Sequence, residues 1–178
     1  MSGLMVPSVR RLGPALAALV IAGSGSFAAK TAHAELGIAA DVESDVPVDS
    51  EADATLGLGA RLGYRLRLPL FLLVPEVGIH YASFDSNPRL LRGIAGAQIG
   101  FGEIFRFGAY SHIGVGSLSF DSGANDTTGF TFDAGGFFDF TLLPKLNVGV
   151  HAGYGFVDVS DAGALKWVPL GVHVELVL

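Results

Sequence analysis

Leu56-Gly57-Leu58-Gly59-Ala60-Arg61-Leu62-Gly63-Tyr64-Arg65-Leu66 alternates apolar residues with glycine and arginine without a break. Successive side chains of a strand point to opposite faces. The stretch therefore has one face of Leu56, Leu58, Ala60, Leu62, Tyr64 and Leu66 and another of Gly57, Gly59, Arg61, Gly63 and Arg65. A helical period of 3.6 would scatter both sets around the axis. The same alternation recurs outward along the chain. Phe130, Phe132, Ala134, Gly136, Phe138 and Phe140 alternate with Thr131, Asp133, Gly135, Phe137, Asp139 and Thr141. Leu146, Val148, Val150, Ala152, Tyr154 and Phe156 stand against Asn147, Gly149, His151, Gly153 and Gly155, and Val172, Val174, Leu176 and Leu178 against Gly171, His173 and Glu175. The alternating segments are 35–43, 54–66, 70–83, 90–102, 105–120, 129–141, 146–157 and 165–178. They predict an all-β chain of eight strands.

The connections differ by turns. After the second, fourth and sixth segments stand Arg67-Leu68-Pro69, Glu103-Ile104 and Leu142-Leu143-Pro144-Lys145, all short. After the first, third, fifth and seventh the chain runs through longer polar stretches, 44–53, 84–89, 121–128 and 158–164. Short and long connections in alternation describe an up-and-down antiparallel barrel with unequal ends. In a membrane barrel the short turns face the periplasm and the long loops face out.

The first residues set the address. Arg10 and Arg11 precede an apolar run from Leu12 to Gly23, and Ala32-His33-Ala34 follows. A basic start, a short apolar run and a small-x-small site make an export signal, with cleavage expected after Ala34. The run contains Pro14 and is shorter than the about 20 residues that span a bilayer as a helix. The expected organisation is a signal peptide, 1–34, and one barrel domain, 35–178.

Net charge is −6 over 178 residues. The leader holds Arg10, Arg11 and Lys30 and no acid, so the remainder is more acidic still. Phosphate recognition needs clustered Lys and Arg, which excludes a nucleic-acid partner. The acids group at Asp41 to Asp53, Asp121 to Asp133 and Asp158 to Asp161, which suggests exposed, solvated loops. None has the spacing of an EF-hand. There are no cysteines, which removes disulfides, thiolate metal sites and thiol nucleophiles together.

Alternation alone does not say which face is inside. A soluble lipocalin-like barrel would turn the apolar set inward around a ligand. Two features favour the opposite sense. The polar face is rich in glycine (57, 59, 63, 78, 96, 100, 108, 114, 149, 153, 155) and thin in lysine, unlike a solvated surface. The apolar face puts Tyr64, Phe71, Phe101, Phe107 and Phe140 near the short-turn end and Tyr81, Phe130, Tyr154 and Phe156 near the long-loop end. Paired aromatic girdles mark the two interfaces of membrane barrels.

Leader, alternating segments and order of connections together resemble the small outer-membrane β-barrels of Gram-negative bacteria, the OmpA-type and OmpX-type group. Gly63-Tyr64-Arg65, Pro69 and Pro75-Glu76-Val77-Gly78 are similar to the second hairpin of barrels known only as outer-membrane proteins. The resemblance covers residues 35–178. It implies an eight-stranded transmembrane β-barrel in the outer membrane, inserted by the barrel-assembly machinery and surrounded by lipid and lipopolysaccharide. Such barrels usually end on an aromatic residue, whereas this sequence ends Val174-Glu175-Leu176-Val177-Leu178.

With the polar face inward, the lumen holds Glu76, Asp133, Asp139 and Glu175, Arg61, Arg65, Arg92 and Arg106, and His80, His112, His151, His173 and Tyr110. Buried charges of both signs are tolerable only when paired and hydrogen-bonded. Arg61 and Glu76 fall nearly opposite one another across the Arg67–Pro69 turn and form the first expected pair. Eight strands enclose about enough space for side chains, so the expectation is a plugged lumen, with a narrow pore as alternative. The lumen histidines carry no ligand spacing, and hydrogen-bonded histidines without metal or other cofactor are expected. A lipid-A-modifying enzyme would need a hydroxyl nucleophile beside a histidine base. Ser111 and His112 are adjacent and so point to opposite faces, and Ala82, Gly114, Gly153 and Glu175 stand two beyond the histidines. The sequence thus predicts a non-enzymatic barrel whose role is structural or a loop-mediated binding one. No extracellular ligand is specified, and acidic loops at 45–53 and 121–126 offer themselves to lipopolysaccharide through divalent cations.

Overall fold

The computed structural model describes residues 34–48, 53–84, 88–120, 127–159 and 163–178. The expected leader up to His33, and most of the acidic stretches 49–53 and 121–126, lie outside the described residues. Eight strands follow one another: β1 Ala34–Pro47, β2 Thr55–Arg67, β3 Leu72–Ser83, β4 Pro88–Phe101, β5 Phe105–Phe120, β6 Thr127–Leu143, β7 Leu146–Val159 and β8 Gly163–Val177. Each pairs antiparallel with the next, and β8 returns to β1 to close the barrel. That closing seam runs from Gly37 opposite Val177 to Pro47 opposite Trp167. Closure removes both sheet edges, the one arrangement in which strands leave no backbone group unpaired in lipid.

Five strands, β1, β4, β6, β7 and β8, exceed the expected segments at the long-loop end. β1 continues to Pro47 because its alternation continues: Ser44 and Val46 stay on the outer wall while Asp45 and Pro47 turn in. β6 starts at Thr127, β7 reaches Val159 and β8 starts at Gly163. β7 and β8 therefore take up residues 158, 159, 163 and 164 of the connection expected at 158–164. Asp41, Glu43 and Asp45, read as part of an exposed acidic loop, lie on the inner face of β1, and Asp133 lies inside β6. At the other end the turns are tight: the Leu68 N–H donates to the Phe71 carbonyl at 2.9 Å. Gly102, at φ 103°, takes a left-handed conformation that a side chain would strain.

Side-chain polarity is the reverse of a soluble protein's over most of the barrel's height. Outward residues such as Leu62, Val77, Ile79, Phe107, Ile113, Val115, Val150 and Val172 are exposed, Ile79 to 63%. Inward residues include Arg65 and Asp139, each 2% exposed. Rings crowd the outer wall near the short turns, where Phe101 stands 6.2 Å from Phe71 and 6.1 Å from Phe107. Phe105 and Phe140 stack there at 5.2 Å. Toward the other end Phe156 lies against Phe130 and Phe132.

Beyond that second aromatic band the polarity inverts. The outer wall there carries Ser83, Arg89, Ser117, Ser119, Thr128, Asp158 and Lys166, in register around the rim. Inside at the same level, Ala82, Phe84, Leu90, Leu118, Val157, Val159 and Trp167 form a buried apolar cluster. A strand of 17 residues such as β6 is longer than the about 9 to 11 that cross a bilayer. The surplus forms a collar with a polar outer wall and an ordinary hydrophobic core. The lumen expected to be polar throughout is thus polar below and apolar at the top.

Candidate functional site

Each of Arg61, Arg65, Glu76, His80, Arg92, Arg106, Tyr110, His112, Asp133, Asp139, His151, His173 and Glu175 projects inward, because each occupies the inner phase of its strand. Nearest the short turns, Arg65 pairs closely with Glu175, and Arg106 reaches both Asp139 and, at 3.2 Å, Glu175. Asn147 also donates to Glu175, at 2.8 Å.

The middle layer is denser. Arg61 pairs with Asp41 at 2.5 Å and with Glu76 at 3.2 Å. Arg61 stands opposite Gly78 and Glu76 opposite Gly63, so their contact is a diagonal across β2 and β3. His112 lies between two carboxylates, its Nδ1 2.6 Å from Asp133 and its Nε2 2.8 Å from Glu76. Gln98 donates to Glu76 as well, at 3.1 Å. His173 Nε2 meets Asp139 at 2.8 Å, and His151 Nε2 meets Glu43 at 3.3 Å. Higher still, Arg92 bridges Asp133 at 3.0 Å and Glu43 at 3.1 Å, and His80 adds a contact to Glu43 at 3.2 Å.

Arg92 also joins the two halves of the interior. Its guanidinium lies 4.8 Å above the ring of Trp167, a fully buried member of the collar's apolar core. A cation over an indole face is attracted by the ring quadrupole, so the top of the ion-pair network is tied to the bottom of the apolar cluster. Asp45 sits at the same junction, and both its carboxylate oxygens are buried without a hydrogen-bond partner.

Glycine on the neighbouring strand makes room for these large groups. A methyl on Gly59 would overlap His80 and Asp41, one on Gly149 would overlap His173, and one on Gly171 would overlap His151. Between the ends the interior has a cavity of about 30 Å³ in the middle layer and one of about 10 Å³ near Glu76, Asp139 and Glu175. Side chains therefore fill the interior between the ends.

Sequence reasoning did not include Asp41, Glu43, Asp45, Gln98 and Trp167 in this interior. The phase of the alternation was the available signal: Asp41, Glu43 and Asp45 share it with Gly37 and Ala39, and Gln98 with Arg92. No described serine lies on the inner wall. Of the inner threonine hydroxyls, those of Thr55, Thr131 and Thr141 donate to the carbonyls of Ser83, Phe156 and Glu103, and that of Thr127 is buried without a partner. Ser111 points out while His112 points in, so the adjacent pair does not meet on one face.

The barrel is similar to several solved structures. Neisserial surface protein A matches with a TM-score of 0.59 at 12% identity, over 83% of this chain and 99% of that one. The outer membrane enzyme PagL matches with a TM-score of 0.56 at 12% identity, over 76% and 97%. The N-terminal β-barrel domain of Pseudomonas aeruginosa OprF matches with a TM-score of 0.52 at 11% identity, over 82% and 100%. The chain thus has the closed eight-stranded antiparallel fold of small outer-membrane barrels. No protein-family model and no curated sequence matches it. One fold, with an enzyme among its members, leaves the activity to be argued from this chain's own walls.

Proposed function

We propose that the chain is exported by its leader and resides in the outer membrane of a Gram-negative bacterium as a non-enzymatic, side-chain-plugged barrel. Its role is structural or one of binding through its outer loops. The observation that carries this reading is the double polarity. Below the second aromatic band an apolar wall surrounds paired charges; above it a polar wall surrounds an apolar core. The lower part suits a hydrocarbon slab and the upper part suits water, so the barrel supports its outer connections on a rigid collar above the lipid. Loops on a rigid scaffold are where binding function usually sits. Outer-membrane lipid and lipopolysaccharide contact the wall, and the barrel-assembly machinery handles insertion.

One feature supports the non-enzymatic reading and a second the plugged lumen. All four barrel histidines face the lumen, so no described histidine stands on the lipid-facing wall as a base for acyl chemistry. The ion-pair layers also interrupt the axis, which opposes conduction. Expression of the full chain followed by membrane fractionation tests the proposal. The expected result is recovery with outer membranes and a gel mobility that changes on boiling. A freely soluble periplasmic protein would refute it, and loss of an acyl chain from lipid A would replace it with the enzyme reading.

A further inference from the structure

We infer that Asp41, His151 and His173 form an internal site for one divalent transition-metal ion, zinc above all. Donor atoms of the three residues lie within 4.8 Å of one another. They come from three adjacent strands: Asp41 of β1 is directly opposite His173 of β8, and His151 of β7 is opposite Gly171, one inward position along. All three line the cavity of about 30 Å³.

The orientation of the two imidazoles points to a cation between them. His151 and His173 each direct Nε2 at a carboxylate, Glu43 at 3.3 Å and Asp139 at 2.8 Å. A neutral imidazole that donates from Nε2 keeps a lone pair on Nδ1. The two Nδ1 atoms face each other at 3.3 Å. Two lone pairs at that distance repel unless something positive sits between them. Nitrogen ligands about 2.05 Å from a tetrahedral zinc stand about 3.3 Å apart, so the spacing suits a shared metal. A carboxylate behind each ligating histidine is also the usual support that fixes its tautomer. His112 differs, with both ring nitrogens on carboxylates and no lone pair to offer.

Charge balance favours the same conclusion. The described interior holds the carboxylates of Asp41, Glu43, Asp45, Glu76, Asp133, Asp139 and Glu175 against the guanidiniums of Arg61, Arg65, Arg92 and Arg106 and the imidazolium of His112, whose two ring nitrogens both face carboxylates. Acids still outnumber these cations, and uncompensated buried negative charge is costly. Two nitrogens and one carboxylate oxygen are a donor set for zinc, with cobalt and nickel as surrogates. Gly149, Gly171 and Gly59 hold open the space each ligand occupies.

The test uses the full chain carrying no polyhistidine tag, folded in detergent micelles with cobalt(II) chloride and, separately, zinc chloride. One metal per chain is expected, with visible cobalt absorption of tetrahedral type. His151→Gln and His173→Gln should each abolish the absorption, and His112→Gln should keep it. Asp139→Asn, behind His173, should weaken affinity roughly 10- to 100-fold. Gel mobility before boiling reports folding independently of metal. If a glutamine variant fails to fold, copper(II) bound to the unaltered chain should show coupling to two nitrogens by electron paramagnetic resonance. Absence of stoichiometric metal in the folded protein, or full binding by both folded glutamine variants, would overturn the site in favour of a proton shared by the imidazoles.

Discussion

Replacing Arg92 by methionine should destabilise the folded barrel by about 3–5 kcal/mol, because it leaves two buried carboxylates without their cation. Arg92 is 3% exposed and bonds Asp133 at 3.0 Å and Glu43 at 3.1 Å. His112 stays against Asp133, and His80 and His151 stay against Glu43, so neither acid is wholly orphaned. That places the expected loss toward the lower half of the range. The contact with Trp167 adds about 0.5–2 kcal/mol, part of which a methionine thioether over the same ring restores. The sequence contains a single tryptophan, so Trp167 fluorescence reports the affected junction directly. Equilibrium urea unfolding in lipid vesicles, followed by that emission, measures the difference. Arg92→Met combined with Asp133→Leu should cost clearly less than the two single changes added, since the double variant removes charge from both sides. A loss below about 1 kcal/mol, the value of an exposed pair, would refute the claim that the network is dry and mutually supporting.

Three other outcomes are expected. Leu62→Lys, on the outer wall near the middle of β2, should cost about 2–4 kcal/mol in the same vesicle assay, whereas on a water-facing wall it would cost nearly nothing. Gly59→Ala should destabilise by about 1–3 kcal/mol through displacement of His80 and Asp41, read as a lower urea midpoint with an unchanged slope. In planar bilayers the purified barrel should show no resolved conductance steps, and steady unitary openings would contradict the plugged lumen.

Much of the fold was legible because a strand's period of two is a local property. Leu56 to Leu66 displays it without reference to anything else, and glycine on the polar phase together with aromatics on the apolar phase indicates which side faces lipid. Strand ends were less legible. Asp41, Glu43 and Asp45 look like a solvated acidic run until the alternation of Ala40, Val42, Ser44 and Val46 between them is followed to Pro47. Partners across the lumen were not legible at all. Arg92 on β4 reaches Glu43 on β1, and Arg106 on β5 reaches Glu175 on β8. Such contacts depend on the diameter and stagger of the closed barrel, which no local pattern encodes. The apolar collar escaped for a related reason. Leu90, Leu118, Val157 and Trp167 lie on the same phase as the charges below them, and only height along the axis separates the two environments.

Sense of the walls is the central claim, and a chain without cysteine allows a direct test of it. Single cysteines placed in turn at Val148, Gly149, Val150, His151 and Ala152 of β7, spin-labelled and folded into vesicles, report local contact with oxygen and with a water-soluble nickel chelate. A membrane-embedded barrel gives a period of two, with labels at 148, 150 and 152 reached by oxygen from the lipid and shielded from the chelate. Labels at those outward positions that instead meet the chelate freely would show a water-facing wall and contradict a barrel that lives in a membrane.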